Sequence, residues 1–396
     1  MWVHSRSESR PSMSSARSTG PRWTRLLAGV AASTMILTAT IGCSTSDGAT
    51  TSGSGEDLTA SQQQCLDKAN NFLETRGLLP ESLPPELTPL SKTPTQGMTI
   101  TRLYPGSVPS SGAVAQRIVE IAPEIGWTGK KLAYDGSVED LNRKLLSAIA
   151  DSDIVEVDGA DPASVQGAIA AAKEKGVLLM LGAIIEPPES VPGFGGVPNG
   201  GELFNQMGEL AAYGLMQATN CRGNVAAFGI PFGAMRTLAQ SMGDVVEREC
   251  PDCNYSYSDI PSSDIGSPAA TNAIVSKLQS DPSINFTFVT IGDLALGLRP
   301  ALKQAGLDAQ IGGALPTPRN LSELKKGDNT FWLGAANEIT AWCQVDTAAR
   351  ALDSGKPTTG LVPVPLFTAD NLESTDPVPA YPTDYAEQFK SLWKVN

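Results

Sequence analysis

From residue 98 to residue 313, short apolar runs alternate with stretches whose apolar residues recur at helical spacing, and few folds satisfy that order. The runs at 98–104, 131–134, 154–157 and 177–181 read as strands, with helical patterns at 110–125, 138–150 and 162–175 between them. After a Pro/Gly-rich interruption at 186–201 the order resumes. Strands are expected at 224–229, 254–258, 286–291 and 309–313, and helices at 203–219, 235–249, 268–280 and 294–305. A helix between successive strands is a crossover, so the strands run parallel and helices cover both faces of the sheet. Two blocks of this kind predict an α/β protein with two doubly wound parallel-sheet lobes. In such sheets ligands bind outside the carboxyl ends of the strands.

The N-terminus points to export. Arg17, Arg22 and Arg25 precede an uncharged apolar stretch at 26–42, the order of a secretory signal. An uncleaved membrane anchor is the alternative, since the stretch is near the lower limit of roughly 17–25 residues for a span. Thr40-Ile41-Gly42-Cys43, followed by a Ser/Thr/Gly-rich tract at 44–55, resembles a bacterial lipobox with Thr where Leu is usual. That resemblance implies a lipid on Cys43, a flexible tether after it, and an anchor on the outer face of the cytoplasmic membrane. Leu58, Cys65, Leu66, Ala69, Phe72 and Leu73 then space one amphipathic helix, ended by Gly77 and followed by a proline-rich connector. We expect an N-terminal helical arm lying on the main body.

Without residues 1–42, which carry five arginines and one glutamate, 24 basic and 41 acidic residues remain. So acidic a chain is a poor partner for nucleic acid. Its 354 residues exceed what one core usually holds, in keeping with two domains. The only histidine, His4, lies in the signal, which removes His-based triads and imidazole metal sites from consideration. No metal and no cofactor is expected. Beyond Cys43 there are five cysteines. Cys250-Pro251-Asp252-Cys253 has the spacing of a redox motif but lacks thioredoxin-like surroundings, so a structural bridge is favoured. Cys221 and the Cys250/Cys253 pair each precede a strand, and neighbouring parallel strands start on one edge. A disulfide from Cys221 to Cys250 or Cys253 is therefore expected, with Cys65 to Cys343 as a second possibility.

Four stretches together resemble the type I periplasmic-binding fold in its ribose-binding-like branch. They are residues 154–162 (IVEVDGADP), the helix at 203–219, the Asp293-Leu294-Ala295-Leu296-Gly297 turn, and Gly355-Lys356-Pro357 followed by 364–371. The resemblance implies a first lobe of 96–198 plus 315–338 and a second of 199–314 plus 339–372. These follow a tether and arm at 43–95 and precede a tail at 373–396. It further implies a monomer that closes on a small-molecule ligand by hinge motion and docks on ABC permease and ATPase subunits, with no reaction catalysed.

The expected ligand positions depart from the sugar-binding pattern. Where sugar binders carry Asn-Pro-Phe-Phe, this chain has Val108-Pro109-Ser110-Ser111; their Asp-Arg pair is Gly182-Ala183. Their Asn-Asp is Ile291-Gly292, and their Phe-Asp-Gly is Ala314-Leu315-Pro316. Arg236 alone falls on a polar contact position, where it would orient an anionic or carbonyl group of the ligand. Phe232, Met235, Leu315, Trp342 and Phe194 would line an apolar cleft, and Ser107, Ser110 and Asn337 complete the candidate contacts. Each has a plainer reading: Phe232 and Met235 as packing between lobes, Trp342 as core, Arg236 as a surface ion pair, the serines as helix caps. Glu186 and Asp293 are further polar groups able to rebuild a sugar site. The stripped polar set predicts a ligand less hydroxylated than a simple sugar, since an unpaired buried hydroxyl costs about 1–3 kcal/mol. A sensor using the same cleft for a membrane signalling partner is the second function class. A carboxylate-dependent enzyme is the third and least favoured.

Overall fold

The computed structural model describes residues 58–76, 79–185 and 194–395; the signal, the lipobox with Cys43, Gly77 and Glu186 lie outside them. In chain order the helices are α1 (Ala60–Arg76), α2 (Pro109–Ile121), α3 (Val138–Asp151), α4 (Gln166–Lys175), α5 (Gly201–Ala218), α6 (Gly233–Glu249), α7 (Pro268–Ser280), α8 (Leu298–Gln304), α9 (Pro318–Lys325), α10 (Asn337–Ser354) and α11 (Tyr385–Trp393). The strands are β1 (Thr99–Pro105), β2 (Thr128–Tyr134), β3 (Ile154–Asp158), β4 (Leu178–Gly182), β5 (Gly196–Val197), β6 (Asn224–Gly229), β7 (Asn254–Asp259), β8 (Phe286–Val289), β9 (Gln310–Ala314), β10 (Phe331–Leu333), β11 (Thr358–Thr359) and β12 (Leu366–Phe367).

They form two six-stranded sheets of matching order, β11-β5-β4-β3-β1-β2 and β12-β10-β9-β8-β6-β7. Within the sheets only β10 and β12 pair antiparallel. The inner strands β3, β6, β8 and β9 are buried over almost their whole length, as parallel strands covered on both faces must be. The edge strands β2 and β7 are largely accessible, and Lys130 and Lys131 on β2 discourage further pairing. Local signals place the helices: Ser137 accepts from the Asp140 amide to cap α3, and Thr317 and Asn320 form a reciprocal cap on α9.

The chain changes lobe at different points from those expected. Residues 315–338 were assigned to the first lobe and 339–372 to the second. Instead β10 pairs with β9 in the second sheet, Phe331 opposite Gly312. Helix α10 packs on α2 of the first lobe, where Glu338 meets Arg117 at 2.8 Å, and leads into β11 beside β5. The chain then returns to the second sheet as β12. The interlobe crossings thus lie near 198–200, 334–336 and 360–365. Three residues of β10 are too few for periodicity to register, and this displaced the boundary.

Helix α1 packs on α5. Phe72 stacks on Tyr213 with centroids 4.1 Å apart, and Lys68 pairs with Glu249. Residues 83–95 continue onto the first lobe: Ser91 donates to Asp353 on α10, and Trp127 Nε1 donates to the Thr95 carbonyl. The C-terminal tail folds too. Trp393 of α11 stacks on Trp342 at 5.0 Å and donates to Asp346 at 2.8 Å.

The disulfides differ from both expectations. Cys65 bonds Cys221 across 156 residues, Cys250 bonds Cys253, and Cys343 is a buried free thiol. Cys250 does lie beside Cys221 at the strand starts, the sulfurs of Cys65, Cys221 and Cys250 being within 4.8 Å of one another. The arm delivers Cys65 to the same spot and takes the bond. Cys343, on α10, is buried.

Candidate functional site

The carboxyl ends of the two sheets face each other across a narrow cleft of about 120 Å³. From the first lobe come Val108, Ser110, Ser111 and Val114 at the start of α2, Asp158 at the end of β3, and Ala183 after β4. The second lobe contributes Phe204 and Met207 on α5, then Ile230, Phe232 and Met235 around the start of α6. Ile291 and Leu315 follow β8 and β9. Asn199, Ala335, Asn337, Thr340, Val362 and Val364 line it from the crossing segments and the start of α10.

Two bends shape opposite walls. Ala183 after β4 and Leu315 after β9 both have left-handed backbones, with φ of 52° and 51°, at matching places in the two sheets. Each costs roughly 1–2 kcal/mol in a residue with a Cβ, so other contacts must hold it. The Ala183 amide donates to the Asn199 side-chain oxygen at 2.8 Å, and the Leu315 amide to the Leu333 carbonyl at 2.7 Å.

Behind Asp158 lies a buried charge cluster. Arg102 on β1 and Glu156 on β3 are wholly inaccessible. Arg102 Nη1 donates to Glu156 Oε1 at 2.6 Å and Nη2 donates to Asp158 Oδ2 at 2.5 Å. Glu156 Oε2 and Asp158 Oδ1 have no hydrogen-bond partner. Burial pushes the Glu156 carboxyl up to about 8, with Arg102 opposing and Asp158 reinforcing. On the second lobe Asp293 is 2 % exposed with neither carboxylate oxygen bonded. Burial raises its pKa, while the adjacent Ser110 hydroxyl and amide pull the other way.

Of the expected ligand residues, Val108, Ser110, Phe232, Met235, Leu315 and Asn337 line the cleft. The others lie elsewhere. Ser107 is half-buried in the turn before α2. At Gly182 a Cβ would sit 1.9 Å from Asp158 Oδ1, so this glycine makes room for the carboxylate. Gly292 is buried against Asn320 and the Leu315 carbonyl. Trp342 belongs to the α10–α11 stack with Phe389 and Trp393, and Phe194 to the core of the first lobe. Arg236 points away: its Nε donates to Asp259 Oδ2 at 3.0 Å on β7, with the Arg side chain 55 % exposed. The expectation that it orients an anionic ligand group is therefore corrected; its place in the first turn of α6 directs it to the edge strand. Asp158, Asn199 and Thr340 were not anticipated as site residues. The end-of-strand position of Asp158 was the available signal.

No family model matches this chain, and no curated protein matches it in sequence. Solved structures do. An ABC transporter periplasmic solute-binding protein from Actinobacillus succinogenes 130z, with bound D-allose, is 19% identical at a TM-score of 0.60, covering 69% of this chain and 98% of its own. A sugar ABC transporter protein from Yersinia enterocolitica subsp. enterocolitica 8081 is 13% identical at a TM-score of 0.62, covering 77% and 98%. A protein described as a LacI transcriptional regulator from Bacteroides fragilis is 17% identical at 0.57, covering 70% and 98%. At these identities the likeness is one of architecture, and the chain has the two-lobed fold of the type I periplasmic binding proteins.

Proposed function

We propose that this chain is an extracytoplasmic solute-binding lipoprotein of an ABC-type importer, anchored through Cys43. It captures a small molecule between its lobes and presents it to permease and ATPase subunits as a monomer. The observation that carries this reading is an apolar cleft at the facing carboxyl ends of two sheets, crossed by only a few segments able to act as a hinge. The D-allose-bound neighbour supports a solute-binding role. The fold is shared with a regulator, but the acidic chain argues against nucleic acid.

The ligand is less polar than a simple sugar. Val108, Phe204, Phe232 and Leu315 are among the apolar residues that outnumber the polar groups lining the cleft, and a polyol would leave hydroxyls unpaired. Calorimetry against monosaccharides and compounds with apolar bodies tests this. Compounds of the second kind are expected to bind at micromolar levels, with Arg236→Ala changing affinity less than twofold because Arg236 is held by Asp259 outside the cleft. Micromolar binding of an unmodified monosaccharide would overturn the reading.

A further inference from the structure

We propose that the cleft selects a protonated amine, its ammonium seated against Asp158 and its apolar body held by Phe232, Leu315, Met235 and Ile230. The inference rests on the cleft being the ligand site.

Among the described residues Asp158 is the one ionisable group lining the cleft, with its side chain 21 % exposed. Arg102 is one cation shared by two carboxylates, Glu156 and Asp158. With both acids ionised the cluster carries an unbalanced negative charge, and an unpaired charge away from solvent is costly. The cluster balances either by keeping a proton on Glu156, whose carboxyl burial pushes up to about 8, or by meeting a second cation beside Asp158, which would let Glu156 ionise. No Lys, Arg or His among the described residues lines the cleft, so the protein does not provide that cation. The groups around the cluster do not supply it either: Tyr134 on the neighbouring β2 is held in its neutral form by burial and by Asp158. Asp293, on the facing lobe, is a further acid with no basic partner.

The geometry suits an ammonium. Asp158 Oδ1 lies unpartnered over Gly182, and Asn199 Oδ1 is 2.4 Å from the position a Gly182 Cβ would take. Asp158 and Asn199 both line the cleft, so an N–H donor there meets the unpartnered Asp158 Oδ1 beside Asn199 Oδ1, which already accepts from the Ala183 amide, while a carboxylate would be repelled. Phe232 reaches across from the second lobe: its ring carbons come within 2.7 Å of where a Cβ on Gly159, the residue after Asp158, would stand. An aromatic ring beside the carboxylate adds cation–π attraction, and the apolar wall beyond suits an aromatic or branched body.

The test is calorimetry on the full chain with matched probes sharing one body: 2-phenylethylamine, 2-phenylethanol and 3-phenylpropionate, with n-hexylamine, n-hexanol and hexanoate as a second series. The amine is expected to bind at least tenfold tighter than its alcohol and its carboxylate in at least one series, and Asp158→Asn to remove that preference. Should Asp158→Asn fail to fold, the wild-type ranking decides alone. An alcohol or carboxylate binding as well as its amine, or no amine binding at millimolar concentration, overturns the proposal. Thr340→Trp, which fills the cleft, separates the two claims. If a carboxylate or monosaccharide binds and Thr340→Trp abolishes it, the cleft stands and the amine falls. If amine binding survives Thr340→Trp, the amine is not held in the cleft and the proposal falls with that reading.

Discussion

Arg102→Met is expected to lower stability by about 3–5 kcal/mol at pH 9.5, and by clearly less at pH 6. Arg102 is buried and donates to both Glu156 and Asp158; its loss leaves the buried Glu156 and the partly exposed Asp158 without their shared cation, which is the costly way to break a buried pair. The pH dependence follows from Glu156, whose folded pKa is pushed up to about 8, chiefly by burial. The folded state keeps a proton there that the unfolded chain releases at about pH 4.3. Its contribution is fully present below that point and is lost as pH rises through 8. Removing Arg102 takes away the one effect that opposes the shift, so Glu156 holds its proton more firmly; wild type and variant share one slope below about pH 8, and the penalty grows above it, where only the wild type ionises. Urea unfolding of wild type and variant at the two pH values measures this. Equal losses at both, or a loss under 1 kcal/mol at pH 9.5, would show that the cluster is not electrostatically closed as described.

Cys65→Ala with Cys221→Ala is expected to cost about 2–5 kcal/mol, whereas Cys250→Ala with Cys253→Ala costs under about 1 kcal/mol. The difference is loop length: the first bond spans 156 residues and the second three, and the unfolded-state entropy removed by a bond grows with the loop it closes. The double change avoids leaving Cys221 free beside Cys250, whose sulfurs already lie within 4.8 Å. The long bond also fixes α1 to the second lobe while residues 83–95 grip the first, so its loss frees the arm from one end. Thermal melts of the two double variants compare them directly. A larger loss from the Cys250/Cys253 pair would contradict the assignment.

The inner strands were legible because parallel strands buried on both faces are continuous apolar runs, as at 154–157 and 286–289. Two-residue strands such as β5, β11 and β12 have no period to detect. Helix α10 escaped for the opposite reason: it is buried nearly all round, from Ile339 through Ala351, and so has no polar face to mark it. The Cys65–Cys221 bond joins segments 156 residues apart, which local pattern cannot reveal. At the site, position along a strand was readable and side-chain direction was not. Val108, Phe232 and Leu315 follow from loops known to lie at strand ends. Arg236 sits on such a loop's helix yet turns outward to Asp259. Asp158 lay in plain view at the end of β3, but its importance comes from Arg102 on the neighbouring strand, which stands opposite Glu156, two residues before Asp158.

The central claim, that the cleft is a solute site, is tested most directly by purifying the full chain natively and identifying by mass spectrometry what it releases on denaturation. The account predicts one small molecule per chain, present with wild type and absent with Thr340→Trp at equal folded yield. Release of nothing from the wild type, or of the same molecule in equal amount from Thr340→Trp, would contradict it.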